Sequence, residues 1–379
     1  ANGVILVTTK GTKGVDRVKV SYSGYMQVKS AAKTLKGESA QDYVYDLWAY
    51  GTALSTVSGT FGDAVARCFG LGSTYGNHYS EYANASTHDW TDDLLRTTTS
   101  WNHNLSISGG TDKTQVLFNV NYLDDKGIKE KSGYSRWNAD LKLKQKILKN
   151  LTFDADIRYS ESKIEGSDGV YNSRGSALSY AYAFCPIDNF LGDGDYNTGF
   201  GNGGGNLMNT SLSPVAVNND ITSITNRQHL RGTFSLTWEI IKGLTAKTEL
   251  GLGRGWSKGK YWDGGLVSDW TKGYTYAKMS LGDSWDVVST TTLNYIVQGL
   301  NKQHSLSFLL GNELLASKSN SETMVGANYP STFTMDQAFG MIGMYAKNDQ
   351  YTYFNNSVGI PSKTKSFFGR VNYSFLDRY

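Results

Sequence analysis

An all-β chain, an antiparallel barrel wall of the kind that crosses a membrane, is the fold class this sequence predicts. Three observations predict it. Apolar and polar residues alternate in roughly ten segments, and short and long links alternate between those segments. No stretch approaches the ~18 apolar residues of a membrane helix, which excludes a helical membrane protein. The chain is 13% aromatic and only 19% charged, the latter against ~25% in typical soluble chains. A strand showing one face to lipid and the other to water averages to polar, so this composition leaves a membrane barrel open.

The strands follow in order. Over 18–30, Val18, Val20, Tyr22, Met26 and Val28 share one face, and Lys19, Ser21, Ser23, Gln27 and Lys29 the other. Val116, Phe118, Val120 and Tyr122 alternate with Gln115, Asn119 and Asn121. Trp137, Ala139, Leu141 and Leu143 alternate with Asn138, Asp140, Lys142 and Lys144. Leu151, Phe153, Ala155, Ile157 and Tyr159 alternate with Thr152, Asp154, Asp156, Arg158 and Ser160. Leu230, Phe234, Leu236 and Trp238 alternate with Arg231, Thr233, Ser235 and Thr237. Further strands are expected over 102–109, 244–255, 287–297, 304–314 and 366–375. Each is near the ~9–11 residues that cross a bilayer when tilted. On this pattern Val116, Phe118, Val120, Leu141, Leu143, Phe153, Ile157, Phe234 and Leu236 are expected to face lipid. Asn119, Asn121, Asp140, Lys142, Asp154, Asp156, Arg158 and Thr233 are expected to face the lumen.

The links decide more than the strands. Tight turns are expected at 110–113, 146–150, 241–243 and 299–303, and longer connections at 31–100, 124–133, 162–226, 256–285 and 315–365. Short turns at one end and long loops at the other are the rhythm of an outer-membrane barrel. A soluble sandwich mixes loop lengths at both ends. Within 38–48 the spacing of Tyr43, Leu47 and Tyr50 predicts a helix, and the glycine-rich stretch 192–206 reads as a loop.

Chemistry-bearing motifs are sparse. A net charge of +3 gives no footprint for nucleic acid. His78, His88, His103, His229 and His304 are scattered without metal-ligand spacing, and read as structural or exposed. Asp193-Gly194-Asp195-Tyr196-Asn197 begins like a calcium loop. It then places Thr198 where glycine is required and Gly204 where the bidentate glutamate should sit. No cofactor, metal or catalytic residue is assigned, and no enzyme is expected. Cys68 and Cys185 fit no CxxC pattern, and two unpaired thiols or one disulfide both stay open. Aromatic residues at strand ends, Trp101, Tyr122, Trp137, Tyr159, Trp238, Tyr295 and Tyr373 among them, suit interfacial girdles. Those in the loops, including Tyr75, Tyr79, Tyr82, Tyr182, Phe184, Phe190, Tyr196 and Phe200, either stack on a cargo or pack the loops together. Tyr75, Tyr79, Asp193, Asp195 and Tyr196 are taken as cargo-contact candidates.

The run Ala1-Asn2-Gly3-Val4-Ile5-Leu6-Val7-Thr8-Thr9-Lys10-Gly11 resembles the end of the plug domain in SusC/RagA-type TonB-dependent transporters, with Thr12 interrupting the usual Lys/Gly string. Asp89-Trp90-Thr91-Asp92-Asp93, followed by Asn102 to Lys113 (N-H-N-L-S-I-S-G-G-T-D-K), is similar to a second segment of that family. Tyr122 to Ile128 and Phe368 to Tyr373 fit its pattern as well. The resemblance implies that 1–14 is the end of a plug and that 15–379 is the N-terminal half of a barrel, roughly ten of about 22 strands. Without an initiator methionine or signal segment, the chain reads as an internal piece of a longer protein.

The resemblance implies active import across a Gram-negative outer membrane, driven by TonB through a TonB box outside this sequence. A SusD-like surface lipoprotein partner and an oligosaccharide or peptide cargo are implied with it. Loops rich in Tyr, Asn, Gly and Ser lean towards glycan. A passive porin or adhesin, a soluble carbohydrate-binding β-sandwich and a polysaccharide-degrading enzyme are the rival classes. The porin or adhesin lacks the plug ending, the sandwich needs its apolar faces turned inward, and the enzyme needs a converging carboxylate pair.

Overall fold

The computed structural model of the chain describes residues 17–43, 45–46, 49, 84, 86–166, 177–184, 186–187, 213–265, 275–301, 303–330, 332–347 and 352–376. The plug segment 1–14, Cys68, Cys185 and the glycine-rich stretch 192–206 lie outside the described residues.

One antiparallel sheet carries every named strand. In chain order these are β1 (Lys19–Lys29), β2 (Thr98–Gly110), β3 (Thr114–Lys126), β4 (Gly133–Leu148), β5 (Leu151–Gly166) and β6 (Ile221–Ile241). They continue with β7 (Leu244–Asp263), β8 (Tyr276–Ile296), β9 (His304–Ala327), β10 (Tyr353–Val358) and β11 (Ser362–Phe375). Each strand pairs with the next up to β10, and β11 also pairs with β9. The last two form one wall strand with a break. Tyr353 opposes Val325 and Val358 opposes Asn320, whereas Ser362 opposes Ser317, so the register slips by one residue across 359–361. Pro361 has no N–H for a ladder. A Cβ on Gly359 would stand 2.1 Å from the Ser319 carbonyl oxygen, so the close approach at this bulge requires glycine. Ten wall strands result, and among the described residues the sheet stays open, with β1 at one edge and β10/β11 at the other.

Because consecutive strands are antiparallel neighbours, the turns at 110–113, 146–150, 241–243 and 297–303 lie at one end, as the link rhythm predicts. Two are fixed locally. The Thr111 hydroxyl accepts from the N–H groups of Lys113 and Thr114 at 3.2 Å. Gly243 adopts φ +88°, a conformation that side-chain-bearing residues rarely take.

Directly opposed residues point to the same side of a sheet. One row runs Val20, Ile107, Phe118, Leu141, Ile157, Gly232, Leu252 and Val287. The neighbouring row runs Asn119, Asp140, Arg158, Arg231, Gly253 and Asp286. All nine residues expected on the apolar face share one side, and all eight expected on the polar face share the other. On β5 the apolar stretch from Leu151 to Tyr159 covers about 26 Å at ~3.3 Å per residue. The apolar stretch also shifts steadily against the row direction along the strand order. It covers Val116 to Tyr122 on β3, Leu244 to Leu252 on β7 and Phe367 to Tyr373 on β11, where Val371 is level with Phe308 and Leu244. Tilted strands in a horizontal apolar band require this drift.

The strands are longer than the alternation suggests: β6 to β9 run 20 to 24 residues instead of about ten. The expected connections 162–226, 256–285 and 315–365 therefore shrink to 167–220, 264–275 and 328–352. The expected connection 124–133 is only the turn at 127–132. Beyond the apolar band both sheet faces mix polar and apolar residues, so the strand continues without the alternation that marks it.

Short helices dress this far end: α1 (Trp90–Leu94), α2 (Ala177–Ala183), α3 (Pro214–Asp220), α4 (Met335–Gly340) and α5 (Ile342–Tyr345). Residues 40–43 and 45–46 are also helical, within the helix expected over 38–48. Trp90, Leu94, Ala177, Tyr180, Ala181, Phe184, Val217 and Ile221 form one buried cluster with Tyr261 against it. Ile221 and Tyr261 belong to the polar-row side of the sheet, so α1 to α3 lie on that side. A second cluster joins Ala277, Tyr329, Ala338, Phe339 and Ile342 to Trp262, Met279 and Met324. Those three strand residues belong to the apolar-row side, which places α4 and α5 on the opposite face from α1 to α3.

Candidate functional site

The polar face of the sheet is a charge-balanced ladder. Arg158 donates to Asp156 at 2.6 and 2.9 Å and stands 3.9 Å from Asp140. Lys142 stands 3.7 Å from Asp156, and Lys144 3.9 Å from Asp154. Three acids and three bases interleave across β4 and β5, so this wall carries polarity with little net field. Farther up, asparagine amides replace the charges. Asn121 donates to the Asn102 side chain at 3.2 Å, and Asn138 to the Asn121 side chain at 3.4 Å.

Above this ladder, on the same side, three chain segments enclose a cavity of about 330 Å³. Lys36, Glu38, Tyr43, His88, Trp90 and Tyr182 contribute to its lining. Asp89 starts α1 by accepting from the Thr91 N–H at 2.9 Å and the Thr91 hydroxyl at 2.6 Å. Asp92 and Asp93 then place negative charge in the first turn, where the helix dipole favours it. Buried Trp90 and Leu94 anchor this turn in the cluster below. The same turn presents His88, whose Nε2 lies 2.7 Å from Asp93 and whose ring centroid lies 4.2 Å from that of Trp90. The His88 N–H donates to the Pro186 carbonyl at 2.9 Å, and Ala40 N–H to the Thr87 hydroxyl at 3.0 Å. The Leu35 N–H reaches the Tyr182 hydroxyl at 3.4 Å.

Ser39 caps the helical stretch beside the cavity, accepting from the Asp42 N–H at 3.1 Å. Desolvation first, then the hydrogen bond and charge of Asp46 and the charge of Asp42, raise the Glu38 carboxyl above its ordinary range. On the other flank Lys131 donates to the carbonyls of Asn219 at 2.9 Å and Ile221 at 2.7 Å, at the C-terminal end of α3. Burial pushes its ammonium below the usual lysine range. The staple ties the 127–132 turn to the segment that carries the cluster.

The cargo-contact candidates Tyr75, Tyr79, Asp193, Asp195 and Tyr196 all lie outside the described residues. Of the other loop aromatics, Tyr182 and Phe184 both line the cavity, and Phe184 is also buried at 5% exposure in the cluster, 5.5 Å from Trp90. Sequence reasoning missed Glu38 and His88 as cavity residues. His88 carries no ligand spacing, and only its place before the Asp89-Trp90 helix start marks it.

No family model matches the chain. Among curated proteins, TonB-dependent receptor SusC of Bacteroides thetaiotaomicron is 27% identical over 190 residues, 49% of this chain and 16% of that receptor. Two TonB-dependent receptors of Formosa agariphila are 25% identical over all of this chain and 24% identical over 81% of it. The chain spans 35% and 30% of their lengths, well under half of any of the three. Among solved structures, the RagAB peptide transporter aligns with a TM-score of 0.69 at 15% identity, over 98% of this chain and 42% of that one. The RagAB peptide importer in its open-open state aligns at 0.66 and 16% identity, over 98% and 41%.

Proposed function

From its kinship with the SusC-type TonB-dependent receptors, we infer that this chain builds one side of an outer-membrane importer. The apolar rows face lipid, the charge-balanced ladder lines the lumen, and the four short turns point to the periplasm. Plug rearrangement would be driven by TonB acting on a segment outside this sequence, with 1–14 as the plug's end. A SusD-like surface lipoprotein would rest on the long connections, and the cargo is an oligosaccharide. The cavity at 36–43, 87–91 and 181–186 carries the cargo assignment. Ring faces beside hydroxyl, ammonium and carboxyl groups suit a sugar, which offers an apolar face and an edge of hydroxyls. Tyr75, Tyr79, Asp193, Asp195 and Tyr196 belong to the same proposal as further contacts. The 328–352 connection contributes less to that chamber, because α4 and α5 lie on the other side of the sheet. Peptide import is the second reading; what favours it is the fold shared with a peptide transporter.

The test uses the full-length protein with its lipoprotein partner. Tyr182→Ala should weaken oligosaccharide binding about three- to tenfold, the worth of one stacking ring, and leave binding of a peptide pool unchanged. Loss of peptide binding with intact oligosaccharide binding would select the second reading.

A further inference from the structure

The side of the sheet that carries the apolar rows does not pass straight from apolar to neutral at its upper edge. On the last strands it passes to cations. Lys318 on β9 shares its row with Trp285 and Arg254. Lys363 on β11 opposes Ala316, and Lys365 opposes Leu314. All three lysines therefore point to the apolar-row side. They sit at its upper boundary, because the apolar stretch of β11 begins at Phe367, just below them. Lys363 lies on the diagonal from Lys318, a separation of ~7–8 Å between such neighbours. Long lysine stems can bring two ammonium groups from those positions onto one anion while their methylenes stay against apolar surface. Lys365 lies over the Phe367 ring at 5.1 Å.

Arg254 is already engaged by Asp283 at 3.0 Å. None of the three lysines makes an ion pair among the described residues. The next acids on this face, Asp283 and Glu322, stand one and two rows higher than Lys318. Beside Lys318 the break in the last strand opens a hollow of about 330 Å³ that reaches both faces of the sheet, with Trp285, Lys318 and Ile360 lining it together with Asp286, Ser319 and Ser362, which belong to the polar-row side. Ile360 projects from the break at 90% exposure. The same side of the earlier strands also carries cations above the band, Lys163, Arg254, Lys258 and Lys260, of which Lys163 pairs with Glu165, Arg254 with Asp283 and Lys260 with Asp336. There the same face carries Tyr122, Trp137, Glu161 and Gln228.

We propose that Lys318, Lys363 and Lys365 form a binding site for the phosphate of a phosphorylated lipid headgroup in the outer leaflet. Its upper acyl chain would lie against Ile360 and Phe367, and Trp285 would cover the headgroup. The site rests on the lipid-facing assignment of the apolar rows. It takes a lipid rather than a soluble phosphate because cations and acyl-sized apolar surface meet there.

The full-length protein in phosphatidylcholine nanodiscs would be titrated with a phosphorylated glucosamine lipid, with the same lipid after phosphatase treatment, and with inorganic phosphate. The wild type should bind the phosphorylated lipid about a hundredfold more tightly than the triple variant Lys318→Gln/Lys363→Gln/Lys365→Gln, at roughly one lysine's contribution each. The two proteins should bind the dephosphorylated lipid alike, and the triple arginine variant should keep wild-type affinity. Equal binding of both lipids by the wild type, undiminished binding by the glutamine variant, or displacement of the lipid by an equal concentration of inorganic phosphate would overturn the proposal. If the protein fails to insert into the nanodiscs at all, it is the membrane-wall reading that falls.

Discussion

Adjacent residues of one strand offer the sharpest contrast at the residue scale. Phe118 belongs to the apolar rows and Asn119 to the polar ones. Phe118→Arg should cost about 2–4 kcal/mol of folding stability in lipid, as a charge facing mid-bilayer does, whereas Asn119→Arg should leave stability nearly unchanged. Urea unfolding in liposomes measures both, and equal effects would mean that the faces are wrongly assigned. Glu38 gives a pH test at the cavity. Its folded-state affinity for a proton is raised, so its stabilising contribution is complete below the ordinary glutamate value of ~4.3. That contribution is lost as pH rises through the raised value. Amide exchange over 38–46, corrected for intrinsic rates, should be slower at pH 4 than at pH 7, and Glu38→Gln should remove the difference. Residue facing was legible in the sequence because lipid and water impose opposite chemistries on successive side chains. His88 and Glu38 were not, because their roles come from three segments meeting in space.

At the scale of elements, turns were more legible than strand ends. A tight turn must be written in its residues, as at Gly243, where φ is +88° and an added Cβ would meet the Ile296 carbonyl oxygen at 2.5 Å. Gly243→Val should therefore cost about 1–3 kcal/mol, read as a lower urea midpoint in lipid. An unchanged midpoint would show that the turn tolerates another conformation. Strand ends beyond the band carry no such mark. Trp256 to Asp263 looks like loop in the sequence because its glycine and lysines do not alternate, yet it pairs residue for residue with Tyr276 to Asp283. Backbone pairing, indifferent to side chains, sets those ends. The helix expected over 38–48, where residues 40–43 and 45–46 are helical, could be read because Tyr43, Leu47 and Tyr50 recur at helical spacing within one local segment. The side of the sheet on which α4 and α5 pack could not, since it depends on Trp262, Met279 and Met324 arriving from three strands.

For the whole molecule, the strict rhythm of links and faces led to an antiparallel open wall, and the ten wall strands in sequence order agree with it. Among the described residues the wall stays open, and the proposed cargo rests on loop surfaces that composition describes only as aromatic and polar. The central claim is that the wall spans a membrane with all its short turns on one side. Its most direct test is labelling of single cysteines in the full-length protein, in a background with Cys68 and Cys185 replaced by serine. Asp112→Cys, Lys149→Cys, Lys242→Cys and Asn301→Cys sample the four turns, and Lys129→Cys and Asn328→Cys sample the opposite end. A membrane-impermeant maleimide on intact cells should label the last two and leave the four turn positions unlabelled until the outer membrane is permeabilised. Labelling of any turn position in intact cells, alongside Lys129→Cys and Asn328→Cys, would contradict the account.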